Sequence, residues 1–259
     1  MKKLIILVCF FSIVGVAFAL PLTLTNASGN KTVKEFTEKV EYTGEVLQLV
    51  FQPLLTYPNI ALSSENEFKE FNEKNCLTPT QFKEVLNELN NNNYVVVGSE
   101  SLISNSTPLI IPANKKPVIL TFYDVSINKG LGKTEKVVLT SNGLLASETL
   151  ISWATQPFLD QSNNDYIPIL ENFYIDEPNF FSGNIKGSII INEENGVLGY
   201  QTQETNLETR QQELYKADVV KNKLIQNGWS FIDSVLFPEN LTNNLNNLQT
   251  IHVKPTLLN

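Results

Sequence analysis

The chain has 259 residues, 42% of them hydrophobic and 18% charged, with 12 Gly and 12 Pro, which is the composition of an ordinary globular fold with a sizeable core. A formal net charge of -8 and a pI near 4.8 exclude the basic footprint that nucleic acid or an anionic membrane surface demands.

Met1-Lys2-Lys3, the apolar run Leu4 to Leu20 and the small-residue site Ala17-Phe18-Ala19 have the three parts of a secretory signal peptide. Cleavage is expected near Ala19, giving a secreted or cell-surface protein. The run is also close to the shortest that spans a bilayer, so an uncleaved anchor is the alternative. Cys9 lies inside it, without the small residues that precede a lipid-modified cysteine. Only Cys76 remains in the mature chain, so no internal disulfide can support the fold and Cys76 reads as a passenger. Asn26, Asn30, Asn105 and Asn240 open glycosylation acceptor patterns, which a chain this rich in asparagine produces by chance.

Residues 20 to 44 read as a polar spacer with one short helix around Val33 to Val40. Val46, Leu47, Leu49, Val50 and Phe51 then form an apolar strand stopped by Pro53 and Tyr57-Pro58. Thr78-Pro79-Thr80-Gln81 predicts a helix start with a capping box, and Phe82, Val85, Leu86 and Leu89 place one apolar face behind it. Asn90 to Asn93 end that helix. Tyr94 to Val97 is a short strand, Ser99 caps a brief turn containing Leu102, and 104 to 116 reads as a polar loop. Lys116 to Val125 is a buried strand that delivers Asp124 at its C-terminal end, where α/β folds gather ligands.

An excursion follows. Val137 to Leu139 and Leu144 to Ala146 flank the hairpin signal Ser141-Asn142-Gly143. Ile167, Leu170 and Phe173, with Pro168 in the first turn, predict a helix ending before Pro178; Ile189 to Ile191 follow Gly187 as a buried strand, and Gly196 and Gly199 break the next loop. Thr205 to Asn227 is the longest predicted helix, with Leu214, Ala217, Val220 and Leu224 as its buried stripe and Gly228 as its C-terminal cap. Trp229 to Phe237 reads as a strand, and the asparagine-rich tail carries Leu241, Leu245 and Leu248 at the spacing of a frayed helix.

Read together, these elements resemble the exported polysaccharide deacetylases of carbohydrate esterase family 4, over roughly residues 46 to 237. The resemblance rests on the order of Tyr57-Pro58, Thr-Pro-x-x-Phe at 78 to 82, Asn93 to Val97, Lys116 to Phe122, the Asn142-Gly143 hairpin, Asp165 to Leu170, Gly196 to Tyr200 and Gly228 to Phe231. It implies an α/β fold: a partial (β/α)-barrel at 117 to 259, with an inserted hairpin region near 126 to 166, preceded by a small α/β part at 45 to 116.

It also implies a site that this chain has lost. The family uses one aspartate as general base and the next, with a His-x-x-x-His pair, to hold a divalent metal such as zinc. Here the base position is Tyr123 and the ligand position Asp124, while Ser234 and Pro238 stand where the two histidines belong. A phenol with an ordinary pKa of about 10 is a poor base at neutral pH. Serine is a weak ligand for such a metal, and proline offers no side-chain ligand atom. The only histidine, His252, is near the C-terminus, and no nucleophile elbow, P-loop or dinucleotide fingerprint supports other chemistry. The later barrel motifs have no counterpart.

The expectation is therefore an exported, catalytically inactive deacetylase-like protein without a cofactor, its partner a cell-wall or other N-acetylated glycan. Trp153, Phe158, Tyr166 and Tyr174 are the aromatics that could stack on sugar rings, weighed against ordinary core packing. Two alternatives stand: an assembly protein, homo-oligomeric through open sheet edges, and a residual metal-dependent carbohydrate N-deacetylase.

Overall fold

The structure, a computed structural model, describes residues 23–25, 31–33, 38–99, 108–126, 130–152 and 158–234, with only the backbone for 23–25, 31–33, 152, 158–162 and 195. The expected signal peptide, Leu102, Trp153, Pro238, His252 and the asparagine-rich tail lie outside these residues, as does the side chain of Phe158. Among the described residues no helix is long and apolar enough to cross a membrane. The chain divides into two compact units, Met1–Glu38 and Lys39–Asn259. In the first, strands β1 (Thr23–Thr25) and β2 (Lys31–Val33) pair antiparallel, Thr23 opposite Val33. The helix expected around Val33 to Val40 is replaced at both ends by strand, since Lys39 and Val40 belong to β3 (Lys39–Tyr42) of the second unit.

That unit contains β4 (Leu47–Phe51), helices α1 (Pro58–Ala61), α2 (Lys69–Asn75) and α3 (Pro79–Asn91), then β5 (Tyr94–Val96), β6 (Leu109–Pro112) and β7 (Lys116–Tyr123). It continues through β8 (Thr134–Leu139), β9 (Leu145–Ser152), β10 (Phe158–Ser162), α4 (Tyr166–Asp176), β11 (Gly187–Ile191), α5 (Leu207–Gln226) and β12 (Trp229–Asp233). The architecture is mixed α/β around a five-stranded parallel sheet. Strand β7 lies at its centre because Pro117 to Phe122 are buried on both faces, the pattern of an internal parallel strand. It pairs on one side with β4, Leu47 opposite Val118. Its other side pairs first with β5, Val96 opposite Val118, and then with β11, Ile189 opposite Phe122. Strand β12 follows β11, Gly187 opposite Trp229. Strands from both sides of residue 117 therefore share one sheet, whose order β12-β11-β7-β4 is open among the described residues.

Alternation along β7 sorts the two faces. Val118, Leu120 and Phe122 join Phe82, Leu86, Ile167, Leu170, Ala217 and Leu224 of α3, α4 and α5 in the main core. At its centre the Phe122 ring stacks on Tyr166 with centroids 4.5 Å apart and on Phe51 at 5.2 Å. On the opposite face Ile119 packs with Val95, Val97 and Ile111, so the antiparallel ribbon β3–β6 covers that side. This ribbon corrects the reading of 104 to 116 as a polar loop. Leu109-Ile110-Ile111-Pro112 is a strand whose short alternation hides between Pro108 and Ala113-Asn114.

The helix signals correspond to physical caps. Thr78 accepts the Gln81 N–H at 3.2 Å while the Gln81 side chain accepts the Thr78 N–H at 2.9 Å, completing the capping box. Asn206 caps α5 through the Thr209 N–H at 3.0 Å. The stripe of α5 is narrower than expected: Ala217, Val220 and Leu224 are buried, but Leu214 is exposed because it lies about 60° round the helix from Ala217, off the face that meets the sheet. The excursion has three strands instead of a lone hairpin, in the order β10-β9-β8. Its tight turn holds as expected, with Gly143 at φ 76° donating to the Thr140 carbonyl at 2.9 Å. Strand β12 is Trp229–Asp233 and Ser234 lies outside it; the rest of the expected strand, 235 to 237, falls outside the described residues.

Candidate functional site

The C-terminal end of β7 carries two of the expected residues, Tyr123 and Asp124, and both have structural roles there. Tyr123 ends the strand half-buried, its carbonyl accepting the Tyr166 hydroxyl at 3.2 Å. Burial pushes its phenol up, further from service as a base. Asp124 is fully buried, and its N–H continues the sheet by donating to the Ile190 carbonyl at 3.0 Å. Its carboxylate oxygens accept the Leu198 N–H at 2.9 and 3.1 Å, and one of them accepts the Ser126 N–H at 3.3 Å. Gly199 donates to the Ser126 hydroxyl at 2.7 Å.

Leu198 and Gly199 both adopt positive φ, 54° and 87°, and their successive N–H groups meet the two side chains at the end of β7. Asp124 takes the Leu198 N–H and Ser126 takes that of Gly199. The Gly196 to Tyr200 loop is thereby tied to the end of β7, and Gly199 is required there: a Cβ would stand 2.0 Å from the Glu135 carbonyl oxygen. Ser234 follows Asp233, which pairs with Ile191, one residue beyond the Ile190–Tyr123 pair. Register thus places Ser234 at the same end of the sheet, two strands and roughly 10 Å from Tyr123-Asp124. Pro238 and His252 fall outside the described residues.

Beneath this end lies a buried polar cluster that sequence reasoning missed. Asp165, the residue before α4, is fully buried and neither of its carboxylate oxygens completes a hydrogen bond of ordinary geometry. Burial pushes its carboxyl up to about 6 and the charge of Asp124 adds to the rise, while the Tyr166 and Leu54 N–H groups and the Thr134 hydroxyl pull it back. The Thr134 and Thr56 hydroxyls meet at 3.1 Å. Lys133, also buried, donates to Asn72 Oδ1 at 3.3 Å, and Asn72 in turn donates to the Ala61 carbonyl at 2.9 Å. Burial lowers the Lys133 ammonium, against the pull of Cys76 and Asp165. Burial likewise raises the Cys76 thiol, the reverse of what a reactive cysteine needs. Neither Lys133 nor Asp165 belongs to a periodic pattern. Their only signal was an isolated charge beside a strand or helix start.

A divalent metal of the kind the resemblance implies does not fit these residues. Both Asp124 oxygens already face the Leu198 N–H, the site has a phenol and a serine hydroxyl as neighbours in sequence and register, and neither is a strong ligand. Among the described residues no three His, Cys, Asp or Glu side chains stand close enough to share an ion. Of the four aromatics offered as stacking platforms, Tyr166 and Tyr174 have described side chains, and both pack against other rings. Tyr166 is fully buried against Phe122, the core packing weighed against a stacking role, and Tyr174 lies edge-on to Phe181 with centroids 5.3 Å apart. No known protein family, curated protein or solved structure matches the chain.

Proposed function

We propose that this protein is an exported, non-catalytic relative of polysaccharide deacetylases that associates with N-acetylated glycan. The observation that carries the reading is the Asp124 carboxylate, engaged by the Leu198 and Ser126 N–H groups in a chain whose single histidine is His252. A carboxylate that ties a loop through the N–H groups of Leu198 and Ser126 is ill placed to give them up for a metal. The order β7, α4, β11, α5, β12, with each helix between parallel neighbours, supports the finer fold of a partial (β/α)-barrel, its strands beginning at β7. In that fold the β3–β6 ribbon fills the face that a closed barrel would keep inside.

The test is acetate release. Incubated with chitin oligosaccharides or peptidoglycan, with and without added zinc, the exported chain is expected to release no acetate above a protein-free blank. Release that a chelator abolishes would overturn the reading.

A further inference from the structure

A cavity of about 360 Å³ opens at the other end of the parallel strands, where Lys186 precedes β11 and Asn227-Gly228 precede β12. That volume is in the lower range of small-molecule sites. Its inner wall is a charged network on rigid elements. Glu171 of α4 accepts the Trp229 indole N–H at 2.8 Å and the Asn227 side-chain amide at 2.7 Å. Lys186, only 3% exposed, donates to the Asn227 carbonyl, stands 3.9 Å from Glu171 and lies 4.1 Å from the centre of the Tyr174 ring. Each charge of this wall is met from within the protein. Lys223, the cavity's other cation, sits in the last turn of α5, where the helix carbonyl ends already favour a positive charge. Glu171 and Lys186 offset one another, and the excess positive charge is confined to Lys223 at the helix end, where the carbonyls offset part of it.

Apart from the Lys223 ammonium, its unused hydrogen-bonding capacity is neutral. The side-chain amides of Asn172, Asn184 and Gln226 line the cavity and bond to no described residue. Each offers donors and an acceptor together, the pairing that a hydroxyl or acetamido group matches in both senses. Exposed Leu144 and Ile175 stand at the rim and give the cavity an apolar border. A flat ligand with hydroxyls on its edges and C–H groups on its faces answers both features.

From this arrangement we infer a binding site for one unit of an uncharged saccharide between the β8–β9 turn, α4 and the C-terminal end of α5. The inference deepens the glycan association proposed above and moves it away from the Tyr123-Asp124 end. Asn172, Asn184 and Gln226 supply the polar contacts, and the Glu171–Lys186 pair holds the wall in place.

The test is a titration of the full exported chain with tetra-N-acetylchitotetraose, followed by two-dimensional amide spectra. Saturable shifts are expected at residues 143–145, 171–175, 184–186 and 223–227, unchanged when salt is raised several-fold. Asn184→Ala and Gln226→Ala, both at exposed positions, are expected to fold normally and to weaken binding roughly 5- to 10-fold each, the weight of one neutral hydrogen bond. No saturable shift, shifts confined to the Asp124 end, binding indifferent to both substitutions, or displacement by inorganic phosphate would each overturn the inference. Chelator-sensitive acetate release with binding intact at this cavity would instead overturn the non-catalytic reading and leave the saccharide site standing.

Discussion

The two ends of the parallel sheet are built from the same kinds of group and finish in opposite states. At the C-terminal end Asp124, Asp165 and Lys133 are all buried, and the Leu198-Gly199 backbone closes over Asp124. At the N-terminal end Glu171 and Lys186 also form a largely buried pair, but they border an open cavity. The C-terminal end is where α/β folds place their chemistry, because the loops there diverge. In this chain those loops converge instead, drawn in by a carboxylate that backbone N–H groups neutralise. A carboxylate and a lysine do not define a site. What decides is whether the backbone consumes them or leaves an accessible wall.

The most severe test of that contrast asks whether both ends are equally rigid in their backbone. Gly199 and Gly228 guard the two ends at φ 87° and 94°, and a Cβ would fall 2.0 Å from the Glu135 carbonyl oxygen at the first and 1.8 Å from that of Asn184 at the second. Neither obstacle is a flexible side chain, so the chain itself must move. Gly199→Ala and Gly228→Ala are each expected to cost about 4 kcal/mol or more in urea unfolding. A tolerant Gly199→Ala would mean that the cradle around Asp124 is loose, and the contrast between the two ends would fail.

Much of the fold is legible in the sequence. The Thr78-Pro79-Gln81 start, the Asn142-Gly143 turn and the apolar runs of β4, β7 and β11 carry their own local causes, and each element lies where those causes place it. Strand β6 is not legible because four residues between turn formers are too short a period, and β3, its partner, is mostly exposed. The same shortness hides β10. At the candidate site the identities of Tyr123, Asp124 and Ser234 can be read, but not what Asp124 does. Its partners, Ser126 and Leu198, are bound by backbone N–H groups, and a backbone donor leaves no trace in residue type. Asp165 and Lys133 are invisible for a related reason: their burial follows from the packing of α2, α4 and the excursion, which no single segment records.

The buried carboxyl at the C-terminal end gives that end a pH signature of its own. The Asp165 carboxyl is pushed up to about 6 from an ordinary 3.8, facing Asp124 as like charge and Lys133 as opposite charge. The folded protein thus holds this proton more tightly than the unfolded chain. Its contribution to stability is full below the unfolded value and is lost as pH rises through about 6. Asp165→Asn keeps the neutral form at every pH. The variant is expected to match the parent near pH 4 and to exceed it by up to about 3 kcal/mol near pH 7, read as the difference between two urea midpoints across that range. A constant difference would mean that Asp165 is solvated and that the end is not closed.

A smaller effect is expected from Glu171→Gln at the open end, and its origin is geometric as well as electrostatic. Glu171 accepts two donors, the Trp229 indole and the Asn227 amide, and stands near a third in Lys186. A glutamine has one acceptor oxygen, so its own NH₂ must face one of those donors. The charge opposite Lys186 is lost as well. The Glu171 side chain is 21% exposed, so water can enter and meet part of the loss. A cost of roughly 1 to 2 kcal/mol follows, below the usual loss for a sealed ion pair. The cavity wall should loosen with it, since Lys186 is held over Tyr174 only while its other partners stay in place. Hydrogen exchange at Trp229 and Ser230 is the direct measurement. Faster exchange there, with the protection of Asp124 and Leu198 unchanged, would show that the two ends open independently. Matched acceleration at both would show that a single cooperative core unites them.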